Sequence, residues 1–250
     1  MHIDTLPVSV IETKKQDISQ RRKGEHGAVS SRADPSPFPS EIATLCAQLY
    51  LREAQTVVDP FAGWGERSAA VRAAGKQYVG VDKSPYAIDF ARDNFGAANT
   101  LGDSLAHAFP PHGGLLTCPP YWNLERYEGD GLSSARSWSQ FCEWYDRVLT
   151  NCASSASESA TYCIMVGSWR SGGVHYDLPH ATKLIMYGLG FNFHDSVVVS
   201  RLARTKVKIM LPQAVRLGYT VRAHEELLVF RRGPTDKNAE AYLDRVSIQY

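Results

Sequence analysis

Thr56-Val57-Val58-Asp59-Pro60-Phe61-Ala62-Gly63-Trp64-Gly65-Glu66 is the stretch that settles the fold class. The β-branched run reads as a buried strand, and the proline and paired glycines then break its ladder. Glu66 to Ala74 follows as a small-residue helix closed by Gly75. Strand, glycine turn and helix in immediate succession are the opening of a βαβ unit. The alternation continues outward. Tyr78-Val79-Gly80-Val81 is a second strand ending at Asp82, and Ser84-Pro85 opens a helix with serine as cap and proline at its first position. A short strand precedes Gly102-Asp103, and Leu115 to Thr117 supplies the next. Ser137 caps a helix with Trp138, Phe141, Tyr145, Val148 and Leu149 on one face, a stripe that reads as core. Strand Tyr162 to Val166, a glycine-containing loop, helix Pro179 to Leu189, and strands near Val197 to Val199 and Leu227 to Phe230 complete the pattern. The expected fold is α/β, a doubly wound, mostly parallel sheet in one domain, with an antiparallel pair allowed at its end.

Residues 1–36 are polar and mixed, with Arg21-Arg22-Lys23 among them, and read as a partly disordered or wrapped-around arm. The domain is expected over 37–233 and a tail over 234–250. Pro37-Phe38-Pro39 leads into Ser40, read as an N-cap, with Glu41 in the first turn and Ile42, Leu45, Cys46 and Leu49 at helical spacing. The 250 residues are 44% hydrophobic and 21% charged with a net charge of +1, so global charge signals no nucleic acid and any binding face must be local. The cysteines at 46, 118, 142, 152 and 163 form no paired pattern, and all but Cys118 read as buried thiols of a reducing compartment. No apolar run reaches membrane-span length and the N-terminus lacks a signal peptide's apolar core, so a cytosolic location, its own or a host's, is expected. The eight histidines show no metal-ligand spacing.

In doubly wound sheets ligands bind beyond the carboxyl ends of the strands, where strand order reverses. Phe61-Ala62-Gly63-Trp64-Gly65 occupies the first such turn. A dinucleotide fingerprint wants a third glycine where this chain has Ser68, and Glu66 would stand near the pyrophosphate, so a phosphate-free nucleoside ligand is favoured. Asp82 is placed for ribose hydroxyls and Asp103 for an adenine amino group. Further on, Leu115-Leu116-Thr117 runs into Cys118-Pro119-Pro120-Tyr121. Two prolines stop the ladder rigidly, leaving carbonyls pointing outward with an aromatic ring behind them. Such a rim accepts hydrogen bonds from an exocyclic amine while the ring stacks on the attached base.

These paired motifs resemble the S-adenosylmethionine-dependent amino-methyltransferases of DNA. Cys118 to Tyr121 looks like their motif IV, Asp59 to Gly65 like motif I, Asp82 like motif II and Asp103 like motif III. Pro37-Phe38-Pro39 with its helix looks like motif X. The order X, I, IV suits the gamma-type arrangement, and the strings around Gly65 and Tyr121 look like small methylases of phage genomes. His224 to Phe230 resembles their closing strand. The resemblance implies a Rossmann-like methyltransferase fold and S-adenosylmethionine as cofactor. It implies a cofactor site of Phe38, Pro39, Asp59, Phe61, Ala62, Gly63, Gly65, Asp82, Lys83, Asp103 and Ser104. It also implies double-stranded DNA as partner, with the target base flipped.

Catalysis would rest on Cys118, Pro119, Pro120 and Tyr121: the side chain at 118 and the Pro119 carbonyl accept the amine's hydrogens while Tyr121 stacks on the base. Cysteine at 118 departs from the family's usual Ser, Asp or Asn. It is closest to serine in shape but a weaker acceptor, which favours cytosine N4 over adenine N6. Trp122, Asn123, Glu125 and Trp169 are expected around the base, and Arg201, Arg204, Lys206 and Lys208 on phosphate. Short target-recognition loops are expected at 122–136, 168–178 and 201–224. An RNA or protein-glutamine methyltransferase, and an inactive fold that only binds nucleic acid, stay open as alternatives.

Overall fold

Short runs of apolar and β-branched residues form the strands of one eight-stranded sheet, buried on both faces at its centre and more exposed toward its edge strands β1 and β4. The computed structural model describes residues 8–13, 38–122, 132–200 and 204–233. In chain order these hold β1 (Val10–Glu12), α1 (Ser40–Leu45) continuing as a π-helical turn (Cys46–Tyr50), β2 (Thr56–Asp59) and α2 (Glu66–Ala73). Next come β3 (Gln77–Asp82), α3 (Pro85–Phe95), β4 (Thr100–Leu101), β5 (His112–Thr117) and α4 (Trp138–Ala153). The second half comprises β6 (Ala156–Val166), β7 (Trp169–Ser171), β8 (Val174–Tyr176), α5 (Leu178–Gly188), β9 (Phe191–Ser200), α6 (Arg204–Leu217) and β10 (His224–Arg232).

The sheet order is β1-β9-β10-β6-β5-β2-β3-β4, parallel except for β10, which runs antiparallel between β6 and β9. Strand order reverses between β2 and β5, so the crevice for a ligand opens there. Residues of β6 alternate between two cores. Tyr162, Ile164 and Val166 pack with Phe141, Tyr145 and Leu149 of α4, while Cys163 and Met165 pack with Ile42, Leu45 and Cys46 on the other face. This is the doubly wound α/β architecture the alternation predicts. Cys46, Cys142, Cys152 and Cys163 are buried, and burial pushes the Cys142 thiol up to about 12. Among the described residues no helix is long and apolar enough to cross a membrane.

Local expectations hold where the cap chemistry is strongest. Ser84 Oγ accepts from the Ala87 amide at 3.2 Å with Pro85 next in the helix, and Ser137 Oγ accepts from the Gln140 amide at 3.1 Å. Ser40 is not a cap. Pro39, fixed at φ −61° and ψ 123°, makes the turn into the helix, and its carbonyl accepts from both Ile42 and Ala43. The Ser40 hydroxyl instead donates to Glu41 Oε2.

Two expected loops contain regular structure. Within 168–178, β7 and β8 form a tight hairpin, because Gly172 and Gly173 both take the positive φ that a two-residue turn demands. Within 201–224, α6 runs through Pro212; the good helix formers around it outweigh one missing amide. From the N-terminal arm, β1 joins the sheet edge beside β9. Expectations for 1–7, 14–37, 123–131, 201–203 and 234–250, Asn123, Glu125 and Arg201 among them, lie outside the described residues.

Candidate active site

Asp59 is the hub of the crevice, and its surroundings explain why β2 ends in an acid. The carboxylate is 0% exposed. Its Oδ1 accepts from the Phe61 amide at 3.1 Å and from Thr117 Oγ1 at 2.6 Å. Its Oδ2 accepts from Arg67 Nε at 2.6 Å and from the Tyr78 hydroxyl at 2.7 Å. The Thr117 bond crosses the switch point, tying the end of β2 to the residue just before Cys118. Burial works against the Arg67 charge, yet Asp59, with Tyr78 and Cys118 behind it, more than restores it and holds the guanidinium above its ordinary value. Arg67 also donates to the Phe61 carbonyl and lies 5.0 Å from the centre of the Phe38 ring. One buried ion pair therefore fastens the entry to α1, the glycine turn and the rim of β5 together.

Asp59 was expected among the cofactor contacts, but four internal donors engage its carboxylate, so it shapes the turn from beneath. The turn itself is held from β3: the Ala62 amide donates to the Val81 carbonyl at 3.0 Å, and the Gly63 amide to Asp82 Oδ2 at 2.8 Å. Gly65 stands at φ +104°, and a Cβ there would meet Phe95 Cδ2 at 2.9 Å and Ala91 Cβ at 3.1 Å. Only glycine lets α2 start so close to α3. Phe38, Pro39 and Ala62 are buried around this floor, and Phe61 is partly buried.

Asp82 Oδ1 accepts from the Ser84 amide at 2.9 Å, so each oxygen already holds one backbone amide and keeps a lone pair for a further donor. Burial pushes its carboxyl up, and the bonds from Ser84 and Gly63 oppose that. Asp103 sits beyond β4, with Oδ1 on the Leu105 amide at 3.0 Å and Oδ2 on Lys83 Nζ at 3.0 Å. Its burial is outweighed by those two bonds, and the carboxyl is held below its usual range. Ser104 Oγ donates to the Pro60 carbonyl at 2.6 Å, closing the crevice floor. The sequence-read residues of β2, β3 and β4 thus meet at one rim, lined by acids and by a lysine already paired.

On the other side of the switch point Cys118 is half-buried, with Pro119 and Pro120 beside it. Tyr121 is 8% exposed and its ring stacks on Trp169 with centroids 5.6 Å apart and planes 9° from parallel. Its hydroxyl donates to Glu225 Oε1 at 2.8 Å. Trp122 spends its indole N–H on the Ala135 carbonyl at 2.8 Å and meets Tyr176 edge-on. Trp138 meets Trp169 edge-on as well, completing an aromatic wall beside the rim. Arg204, Lys206 and Lys208 lie on α6, which begins just after β9 ends at this same edge of the sheet. Arg170 of the hairpin stacks over the Tyr219 ring at 5.0 Å, joining the wall to the segment that follows α6.

Sequence reasoning passed over Arg67, Thr117, Tyr78 and Glu225. An arginine two residues after the second glycine, at the start of a helix rich in small residues, was the available signal for the first. For the others none existed, because their partners lie 19 to 104 residues away in the chain. Among the described residues no group of three or more His, Cys, Asp or Glu is placed to hold a metal.

The same architecture is found in solved methyltransferases. The O-methyltransferase of a trans-AT PKS multienzyme from Brevibacillus brevis, in complex with S-adenosyl-L-homocysteine, superposes with a TM-score of 0.52 at 13% identity, covering 82% of this chain and 78% of that one. The 1,6-didemethyltoxoflavin-N1-methyltransferase of Burkholderia thailandensis gives 0.50 at 14% identity, covering 78% of each chain. No curated protein sequence matches the chain. The fold is the Rossmann-like methyltransferase fold, and residues 9–93, from β1 into α3, match the N6_N4_Mtase family of DNA methylases.

Proposed function

We propose that the chain is an S-adenosylmethionine-dependent DNA amino-methyltransferase that acts on a flipped base, with cytosine N4 as its target. The observation that carries this reading is the Thr117–Asp59 bond of 2.6 Å. It locks the Cys-Pro-Pro-Tyr rim against the glycine turn across the switch point, so an amine held at one faces a ligand held at the other.

The donor set fits the cofactor. Asp82 and Asp103 offer acceptors for hydroxyls and an amino group, Glu66 stands buried at the turn, and Lys83 is committed to Asp103. That set suits a cationic, phosphate-free nucleoside and repels a pyrophosphate. S-adenosylmethionine supplies an electrophilic methyl group on its sulfonium. The chain's own task is to orient the amine, whose lone pair is delocalised into the base. The Cys118 side chain and the Pro119 carbonyl accept its two N–H groups, which favours a pyramidal nitrogen, and the aromatic wall excludes water. The match of residues 9–93 to DNA methylases supports DNA as the substrate.

Nucleoside mass spectrometry of DNA from cells expressing the protein tests this directly. N4-methylcytosine is the expected product. Cys118→Ser restores a good acceptor in nearly the same volume and is expected to retain or raise its yield, while Cys118→Ala lowers it. N6-methyladenine would overturn the base and keep the enzyme class; DNA without either mark, or a methyl group on C5, would overturn the mechanism.

Helix α6 is the reading's DNA-facing element. It carries Arg204, Lys206, Lys208 and Arg216 with no acid, and it lies between the rim ends of β9 and β10. Replacing Lys206 and Lys208 with alanine is expected to weaken DNA binding and flatten the slope of log affinity against log salt by about one to two counterions. An unchanged slope would return these lysines to plain solvent exposure.

A further inference from the structure

Glu225 is the second residue of β10, which among the described strands alone starts at the rim where its neighbours end. An antiparallel strand thereby delivers a carboxylate to an edge otherwise supplied by strand termini and loops. Glu225 receives the Tyr121 hydroxyl at 2.8 Å, across 104 residues of chain. The bond passes over Gly167, where a Cβ would stand 3.3 Å from the Tyr121 oxygen and 3.4 Å from Glu225 Cγ. A side chain there would touch Glu225 at ordinary contact distance but press on the Tyr121 oxygen, which would have to give by a few tenths of an ångström. Trp169 stacks on Tyr121 nearly parallel, Tyr176 stacks on Trp169 at 26°, and Trp138 closes on its edge.

A tyrosine ring on a turn has two torsions to lose when a base stacks on it. Here both are fixed beforehand: Trp169 sets the plane and the carboxylate pins the far end. Phenol to carboxylate is a charge-assisted bond, stronger than a neutral one, and a ring ordered in advance binds without the entropic cost of ordering. Trp169 was already expected at the base. Glu225 belongs to no motif that the sequence reading assigned a role, and it lies outside the residues matched to the DNA methylases.

We propose that Glu225 is a positioning residue of the transfer site, acting through Tyr121 to hold the stacking ring of the rim in its working plane. The inference rests on the methyltransferase reading above. The test is single-turnover transfer of a tritiated methyl group from saturating S-adenosylmethionine to plasmid DNA from a methylase-free host, alongside calorimetric binding of S-adenosylhomocysteine. Glu225→Ala is expected to lower the transfer rate about 10-fold, the loss that one charge-assisted bond represents, and to leave S-adenosylhomocysteine affinity within about 2-fold. Glu225→Gln, whose amide oxygen still accepts, recovers most of that rate. Tyr121→Phe removes the same bond from the other side and falls as far as Glu225→Ala, and the double variant falls no further, as expected of two groups acting as one unit. Should Glu225→Ala fail to fold, the phenylalanine and glutamine variants carry the comparison alone. Additive losses, a glutamine variant as slow as alanine, or a Tyr121→Phe protein at full rate would overturn the proposal. A wild type that transfers no methyl group would overturn the underlying reading and the proposal with it, whereas an active wild type with an equally active Glu225→Ala variant would overturn the proposal alone.

Discussion

Asp59→Ala is expected to destabilise the fold by about 3–5 kcal/mol, the range for stripping one partner from a buried ion pair. The variant leaves the Arg67 guanidinium enclosed without its counter-charge, beside the orphaned donors of Thr117, Tyr78 and the Phe61 amide. Each such group loses water on folding and recovers nothing. Urea unfolding followed by circular dichroism reads the effect as a lower midpoint at unchanged slope. Replacing Arg67 with leucine in the same background is expected to restore part of the loss, since an apolar pair needs no compensation. A loss below about 1 kcal/mol for Asp59→Ala would show that the hub is solvated in solution and that the network does not hold the crevice together.

Asp82→Ala is expected to weaken S-adenosylmethionine binding about 10- to 100-fold, the cost of losing charge-assisted bonds together with the loop they organise. The structure enlarges this expectation beyond a simple ligand contact. Asp82 holds the Gly63 and Ser84 amides at 2.8 and 2.9 Å, so its removal would loosen the glycine turn as well as delete the acceptor proposed for the ribose. Asp82→Asn keeps one acceptor oxygen for the amides and is expected to fall between the wild type and alanine. Isothermal titration calorimetry on variants with retained near-ultraviolet dichroism makes the comparison. Undiminished affinity in Asp82→Ala would remove this carboxylate from the cofactor site, and no binding by the wild type would remove the cofactor itself.

What was legible in the sequence follows from the range over which its signals act. Strand, turn and helix alternate with periods of a few residues, so β2 through β6 and the order of the motifs could be read along the chain. Ser84 and Ser137 were legible as caps because the amides they bind lie three residues away. Ser40 looked like the same device, but a proline just before it already fixes the backbone and takes over the turn. The acids at the ends of β2 and β3 were legible as residues of the crevice, yet which of them a buried arginine takes up was not. Whether an aspartate faces a ligand or a buried arginine depends on the partner's fold position, and Arg67, Tyr78 and Thr117 converge on Asp59 only once the sheet has formed. Glu225 was hidden for the same reason. In α6 the charges were visible but the helix was not, since Pro212 within a basic run reads as a loop.

The three-residue β1 has a consequence for the molecule's behaviour in a crowded solution. Its register sets Val10, Ile11 and Glu12 against Val198, Val199 and Ser200, with flanking bonds from the Val198 amide to Ser9 and from the Thr13 amide to Ser200. Beneath it lies β9, whose Val197 and Val199 are buried. A shortened chain that starts at Phe38 would keep every residue of the crevice but bare the end of β9 from Val198 to Ser200, where main-chain groups now bonded to β1 would stand unpaired. Such an edge is a template for a second molecule. Trimming the chain before Phe38 is therefore expected to raise self-association, read as a larger apparent mass in size-exclusion chromatography, before it affects the chemistry of the crevice.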